Sequence, residues 1–165
     1  MVKAKGALLA LLVVAFSLAL AQGNPQTQTP QTPQMQMILV TESSKPFAQT
    51  VEAFKAEVKA AGWSILNYHN MAGVLSEKGY TLHPVLIFDV CSGRYSARIL
   101  AKDEYRPISA FMPCRVSIYQ TSDGKVFVSR MNAAAFAPMM PKEVAEIMTA
   151  SAKEIEAIIA KVVAK

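Results

Sequence analysis

The sequence predicts an α+β domain, a two-layer sandwich of a mostly antiparallel sheet with helices packed on one face. Three observations predict it. Phe47, Val51, Phe54, Val58 and Ala61 recur at alternating intervals of four and three, which is one face of an amphipathic helix. Cys114, Val116 and Ile118 alternate with Arg115, Ser117 and Tyr119, Asp123-Gly124 supplies a turn, and residues 125–130 return with Val126 and Val128 on one face, the pattern of a tight hairpin. The run Val85-Leu86-Ile87-Phe88-Asp89-Val90 is apolar on both faces, as a covered central strand is.

The chain opens with Lys3 and Lys5, an apolar run over 7–20, and Ala19-Leu20-Ala21 before Gln22. That is the layout of a secretory signal peptide over residues 1–21. The run falls short of the roughly 20 residues a spanning helix needs. No Cys follows the expected cleavage point, so no lipid anchor is indicated. The expected product is exported, periplasmic or extracellular, with no stable membrane insertion. Residues 22–36 are uncharged, carry a near-repeat of Pro-Gln-Thr and have no apolar period. They suit an extended, disordered tether. Residues 37–165 are left as a single domain. The formal net charge is +5, and loss of Lys3 and Lys5 leaves +3 without any basic block, which gives no reason to expect nucleic-acid or membrane binding.

Within the domain, residues 37–41 are β-prone, and Ser43 and Ser44 offer capping oxygens to the helix over 47–61 that Gly62 stops. Residues 63–68 alternate as a strand that His69-Asn70 ends, and 71–78 form a short helix closed by Gly79. The central strand over 85–91 delivers Cys91, Ser92-Gly93 breaks it, and 95–102 form a helix. Residues 107–113 are irregular. The hairpin follows, then an Ala-rich helical segment over 132–140. Pro141 starts the last helix, whose stripe is Val144, Ile147, Met148, Ile155, Ile158, Ile159 and Val162.

Several strings resemble one known family, the domain of unknown function 302. They are the helix ending Gly62-Trp63, the strand ending Asp89-Val90-Cys91, Phe111-Met112-Pro113-Cys114-Arg115-Val116, and Val126-Phe127-Val128-Ser129-Arg130-Met131-Asn132. The resemblance implies a compact two-layer α+β fold, a homodimer, and no agreed biochemical activity. Its cysteine positions carry over to Cys91 and Cys114. Ser92-Gly93-Arg94 departs from the Asn-Pro type of turn common in the family.

The two cysteines are the best candidate site. Three states are open to them. A structural disulfide suits an oxidising compartment and would stabilise the fold by roughly 3 kcal/mol. Buried free thiols would act as small apolar groups. A redox or metal site is the third. Cys91 precedes a helix, whose N-terminal N–H groups favour a thiolate, with Arg94 and Arg115 near in sequence. Cys91, Cys114, Met112 and Met131 form a candidate set for a soft metal such as copper, as Cu(I). Tetrahedral zinc would need two further ligands. Asp89 lies two residues before Cys91, and if buried needs Arg115 or Arg130 as partner. His83 stands roughly 26 Å along the strand from Cys91, and His69 ends another strand, so neither is expected in the site. Cys114→Ala is accordingly expected to harm the protein more than a change at either histidine.

No phosphate loop, nucleophile elbow, metal-binding His pair or dinucleotide fingerprint occurs, and no cofactor is identified. The expected function is a non-enzymatic small-ligand or soft-metal binding module. A thiol-redox protein using Cys91 and Cys114, and a disulfide-stapled scaffold, are the alternatives.

Overall fold

The computed structural model describes residues 37–164, so the expected signal peptide over 1–21 and the expected tether over 22–36 lie outside the described residues. Five strands form one sheet: β1 (Ile38–Ser43), β2 (Ser64–Asn70), β3 (Val85–Cys91), β4 (Cys114–Gln120) and β5 (Val126–Met131). Their order is β1-β5-β4-β3-β2, and every neighbouring pair is antiparallel. The expected α+β sandwich is the observed class, with the apolar run Val85–Cys91 in an interior strand.

Strand pleating sorts the side chains onto two faces. Phe88, Val90, Val116, Ile118, Val126 and Val128 are fully or almost fully buried on the inner face. Helix α1 (Phe47–Ala60) lays Val51, Phe54 and Val58 on it. Helix α5 (Lys142–Val163) adds Ile155, Ile158, Ile159 and Val162 to the same core. The Phe54 and Phe88 rings meet at 5.2 Å, tilted by 53°. Helix α1 connects β1 to β2, which are opposite edges of the sheet.

A second apolar cluster, Ile99, Val144, Ile147 and Met148, joins the start of α5 to α3 (Gly93–Leu100). Tyr95 packs against both clusters. Two short helices, α2 (Met71–Ser76) and α4 (Ala133–Phe136), complete the helical complement, with 3-10 turns at Asp103–Phe111 and Ala137–Met139.

Three details differ from expectation. Helix α1 starts after Pro46 with no side-chain cap. Ser43 Oγ instead meets Thr50 Oγ1 at 2.8 Å and accepts from Lys45 N–H, so its oxygen is already engaged. Strand β2 runs on to Asn70, because β3 offers partners as far as His69↔Ile87 and Asn70↔Leu86. Helix α2 ends at Ser76, two residues before Lys78. Residues 103–111 coil as 3-10 turns with Pro107 inside, overlapping the 107–113 stretch that the sequence leaves irregular.

Arg130 sits on an inward position of β5 and is only 8 % exposed. A buried cation needs full satisfaction. Its Nε donates to Glu156 Oε1 at 2.8 Å, its Nη2 to Glu156 Oε2, and its Nη1 to Thr41 Oγ1 at 2.7 Å. Glu156 of α5 therefore takes Arg130, leaving Asp89 to find other partners.

Candidate functional site

Strand β3 ends at Cys91 where α3 begins, and β4 starts at Cys114 beside it. The register pairs Cys114 with Val90, one residue short of Cys91. Consecutive strand residues leave opposite faces of the pleat, so the two cysteines are not a facing pair. Of the three open states, the disulfide is not formed here, and both thiols are free. Cys91 Sγ instead lies 2.9 Å from Ser96 Oγ of α3. Ser96 Oγ donates its hydrogen to Ser92 O at 2.7 Å, so the Cys91 thiol is the donor in this arrangement. If Cys91 loses its proton, the Ser96 hydroxyl can turn and donate to the sulfur.

The two sulfurs nevertheless share an enclosure. Cys91 and Cys114 line a cavity of about 60 Å³ between the two apolar clusters. Met112, Met131 and Met148 line it too. All four soft-ligand candidates are thus at one cavity, joined by Met148, which sequence periodicity assigns only to the apolar stripe of α5. No His, Asp or Glu side chain lines it. Among the described residues there is no group of three or more His, Cys, Asp and Glu side chains able to hold a metal ion. The donors at this point are sulfur and the hydroxyls of Ser92, Tyr95, Ser96 and Ser151.

Two buried polar atoms in the wall have no partner. They are Trp63 Nε1 and Ser92 Oγ, on residues 5 % and 4 % exposed. An N–H or O–H left unpaired in an apolar wall costs about 1–3 kcal/mol, so each marks a place where an acceptor would be favourable. Burial pushes the Cys114 thiol above its ordinary range, and the negative charge of a Cys91 thiolate pushes it further. Two thiolates here would repel each other unless a cation lay between them.

Asp89 and Arg115 belong to the opposite face of the sheet. Asp89 pairs with Arg115 in the β3–β4 register and is 8 % exposed. Arg115 Nε donates to Asp89 Oδ1 at 3.2 Å. His69 Nε2 meets Asp89 Oδ2 at 2.8 Å. These contacts, the His69 hydrogen bond first, hold the Asp89 carboxyl below its usual range. Strand β2 continues to Asn70 and brings the His69 ring beside Asp89, and His69 does not line the cavity of the cysteines. His83 lies in the exposed segment before β3, as expected. Arg94 pairs with Glu154 of α5 and Arg115 with Asp89, so both guanidiniums are engaged away from the sulfurs.

A second, open groove of about 510 Å³ lies on this face. Ile38, Ile87, Arg115, Ser117 and Ser129 line its sheet side, and residues 110–113 overhang it. Phe111, Met112, Pro113 and Met131 line both the groove and the sulfur cavity, so they form the partition between the two.

Comparison with solved structures finds an uncharacterized conserved protein DUF302 from Bacillus stearothermophilus with a TM-score of 0.69 at 23% identity, over 76% of this chain and 98% of that one. At that identity the likeness is one of fold. No curated protein matches the chain. The family model for the domain of unknown function DUF302 matches residues 39–165, all but the first residue of the strands and helices described above, and the chain belongs to that family.

Proposed function

We propose that this domain binds a soft monovalent metal, Cu(I), in the sulfur cavity, with Cys91 and Cys114 as thiolate ligands and Met112, Met131 or Met148 supplying a thioether. One observation carries the proposal: two cysteines and three methionines line a single small cavity whose lining holds no carboxylate and no imidazole. Thiolate and thioether sulfur select Cu(I) over harder ions. The volume points the same way. About 60 Å³ is room for a bare ion or roughly two waters, well below the roughly 300 Å³ at which small-molecule pockets begin.

Cu(I) with two thiolates carries a net negative charge, which an apolar site must compensate. Donors are present for that charge in Trp63 Nε1, Ser92 Oγ and the Ser96 hydroxyl. Binding displaces the thiol protons, so affinity should rise with pH while the Cys114 thiol remains protonated.

Export and self-association belong to the same proposal. Lys3, Lys5, the apolar run and Ala19-Leu20-Ala21 support export, and N-terminal sequencing of the secreted chain should begin at Gln22. Leu66, Tyr68, Val74, Tyr80 and Leu82 are roughly half exposed on β2, α2 and the segment before β3, and support a homodimer through that edge. Light scattering should give twice the chain mass.

The test is an anaerobic Cu(I) titration against a competing chelator. One equivalent bound per chain, lost in Cys91→Ser and in Cys114→Ser, is expected. Equal binding by the wild type and both variants removes the proposal. A thiol pair that instead reacts with peroxide to a disulfide, with no copper retention, favours the thiol-redox alternative.

A further inference from the structure

The sulfur cavity is small and only partly open, and a metal must reach it. Its partition from the outer groove is made of Phe111, Met112, Pro113 and Met131, and two of those four carry thioethers. The groove, at about 510 Å³, is of the size that holds a small molecule. Arg115 and Arg130 line it, Arg130 ion-paired with Glu156 and Arg115 held through Nε by Asp89, with neither carboxylate among the lining residues. The Arg115 side chain is 69% exposed and anchored through Nε on Asp89. Among the described residues nothing meets its two terminal nitrogens, which remain available to an anion. A fixed guanidinium repels a hydrated cation and attracts a negatively charged complex.

We propose that this groove is the loading vestibule of the sulfur cavity, and that it takes Cu(I) as an anionic complex with a small carboxylate-bearing thiol, held by Arg115. The inference rests on the Cu(I) reading of the cavity. The transfer is ligand exchange without change of oxidation state. A bond from copper to a carrier thiolate breaks as one to Met112 or Met131 forms. Cys114 and Cys91 then replace the remaining carrier and the thioether, or the thioether stays as a third ligand. The two cysteine protons leave on the two carrier thiolates, which depart as thiols. Copper remains Cu(I), and no electron is gained or lost.

The experiment uses two carriers that share a thiolate and differ in charge. The Cu(I) complex of N-acetylcysteine is anionic, and that of cysteamine is cationic. Anaerobic stopped-flow mixing with the full domain follows fluorescence of Trp63, the chain's one tryptophan, which lines the cavity. At low salt the anionic carrier should load about tenfold faster than the cationic one, within the range of electrostatic steering. Arg115→Gln should slow the anionic carrier about tenfold and leave the cationic one unslowed. Arg115→Lys should recover most of the rate, and the final affinity should stay within about twofold in all three proteins. An Arg115→Gln variant that slows both carriers equally, or neither, overturns the vestibule while Cys-dependent copper binding stands. Failure of the wild type to take copper from either carrier or from the Cu(I)–acetonitrile complex overturns the sulfur site and the vestibule together.

Discussion

Asp89→Asn removes a negative charge from a buried carboxylate while keeping its shape. In the native protein that carboxylate accepts from His69 at 2.8 Å and from Arg115 at 3.2 Å. A hydrogen bond to a charged group contributes about 1.5–3 kcal/mol when well shielded. The Arg115 arm is discounted to about 0.5 kcal/mol, because its side chain is largely in water and screened. The His69 arm is half-exposed and is taken at the low end, about 1.5 kcal/mol. The substitution should therefore cost about 2 kcal/mol at pH 7, a fall in Tm of about 6–8 °C for a domain of this size. The sign with pH follows from the depressed carboxyl. Its stabilisation is fully present above the unfolded Asp value of about 3.9 and is lost as pH falls through the lower folded value. Thermal melts of wild type and Asp89→Asn should differ clearly from pH 7 to about 5, then converge below about pH 4. A deficit that persists unchanged at pH 3, or no deficit at pH 7, would refute this reasoning.

Three further outcomes follow from the packing. Phe54→Ala, which empties a fully buried ring site against Phe88, should cost about 3–5 kcal/mol in urea denaturation; less than 1 kcal/mol would mean that α1 is not docked as described. Glu156→Ala strands the buried Arg130 guanidinium and should cost about 3 kcal/mol, while adding Arg130→Met should recover much of that loss. Equal stability of the single and double variants would contradict the buried ion pair. Cys114→Ala should lower Tm more than His83→Ala, because His83 is exposed and surface changes usually stay within about 0.5 kcal/mol; the reverse order would show that the thiol contributes nothing to packing.

Much of the fold was legible because burial imposes a period on the chain. The stripe through Val51, Phe54 and Val58 is the face that α1 buries, and the two-sided apolarity of Val85–Cys91 is that of an interior strand. The convergence of Cys91, Cys114, Met112 and Met131 was legible for a related reason: an antiparallel neighbour begins where its partner ends. Register was not legible. Whether Val90 or Cys91 faces Cys114 depends on a one-residue offset, and that offset separates free thiols from a bridge. The His69–Asp89 contact was not legible either, since His69 sits opposite Ile87 and reaches Asp89 diagonally, in a register set after the irregularity between Ile65 and Asn67. Met148 carries no local mark separating a cavity wall from ordinary core, and the unpartnered Trp63 Nε1 depends entirely on its neighbours.

The central claim, a copper site of sulfur alone, is tested most directly by X-ray absorption at the copper edge on protein carrying one equivalent of Cu(I). The cavity lining predicts a first shell of two or three sulfur atoms and no nitrogen or oxygen, with the sulfur shell lost in the Cys91→Ser/Cys114→Ser double variant. A first shell dominated by nitrogen or oxygen in the wild type, or one unchanged by the double substitution, would contradict it.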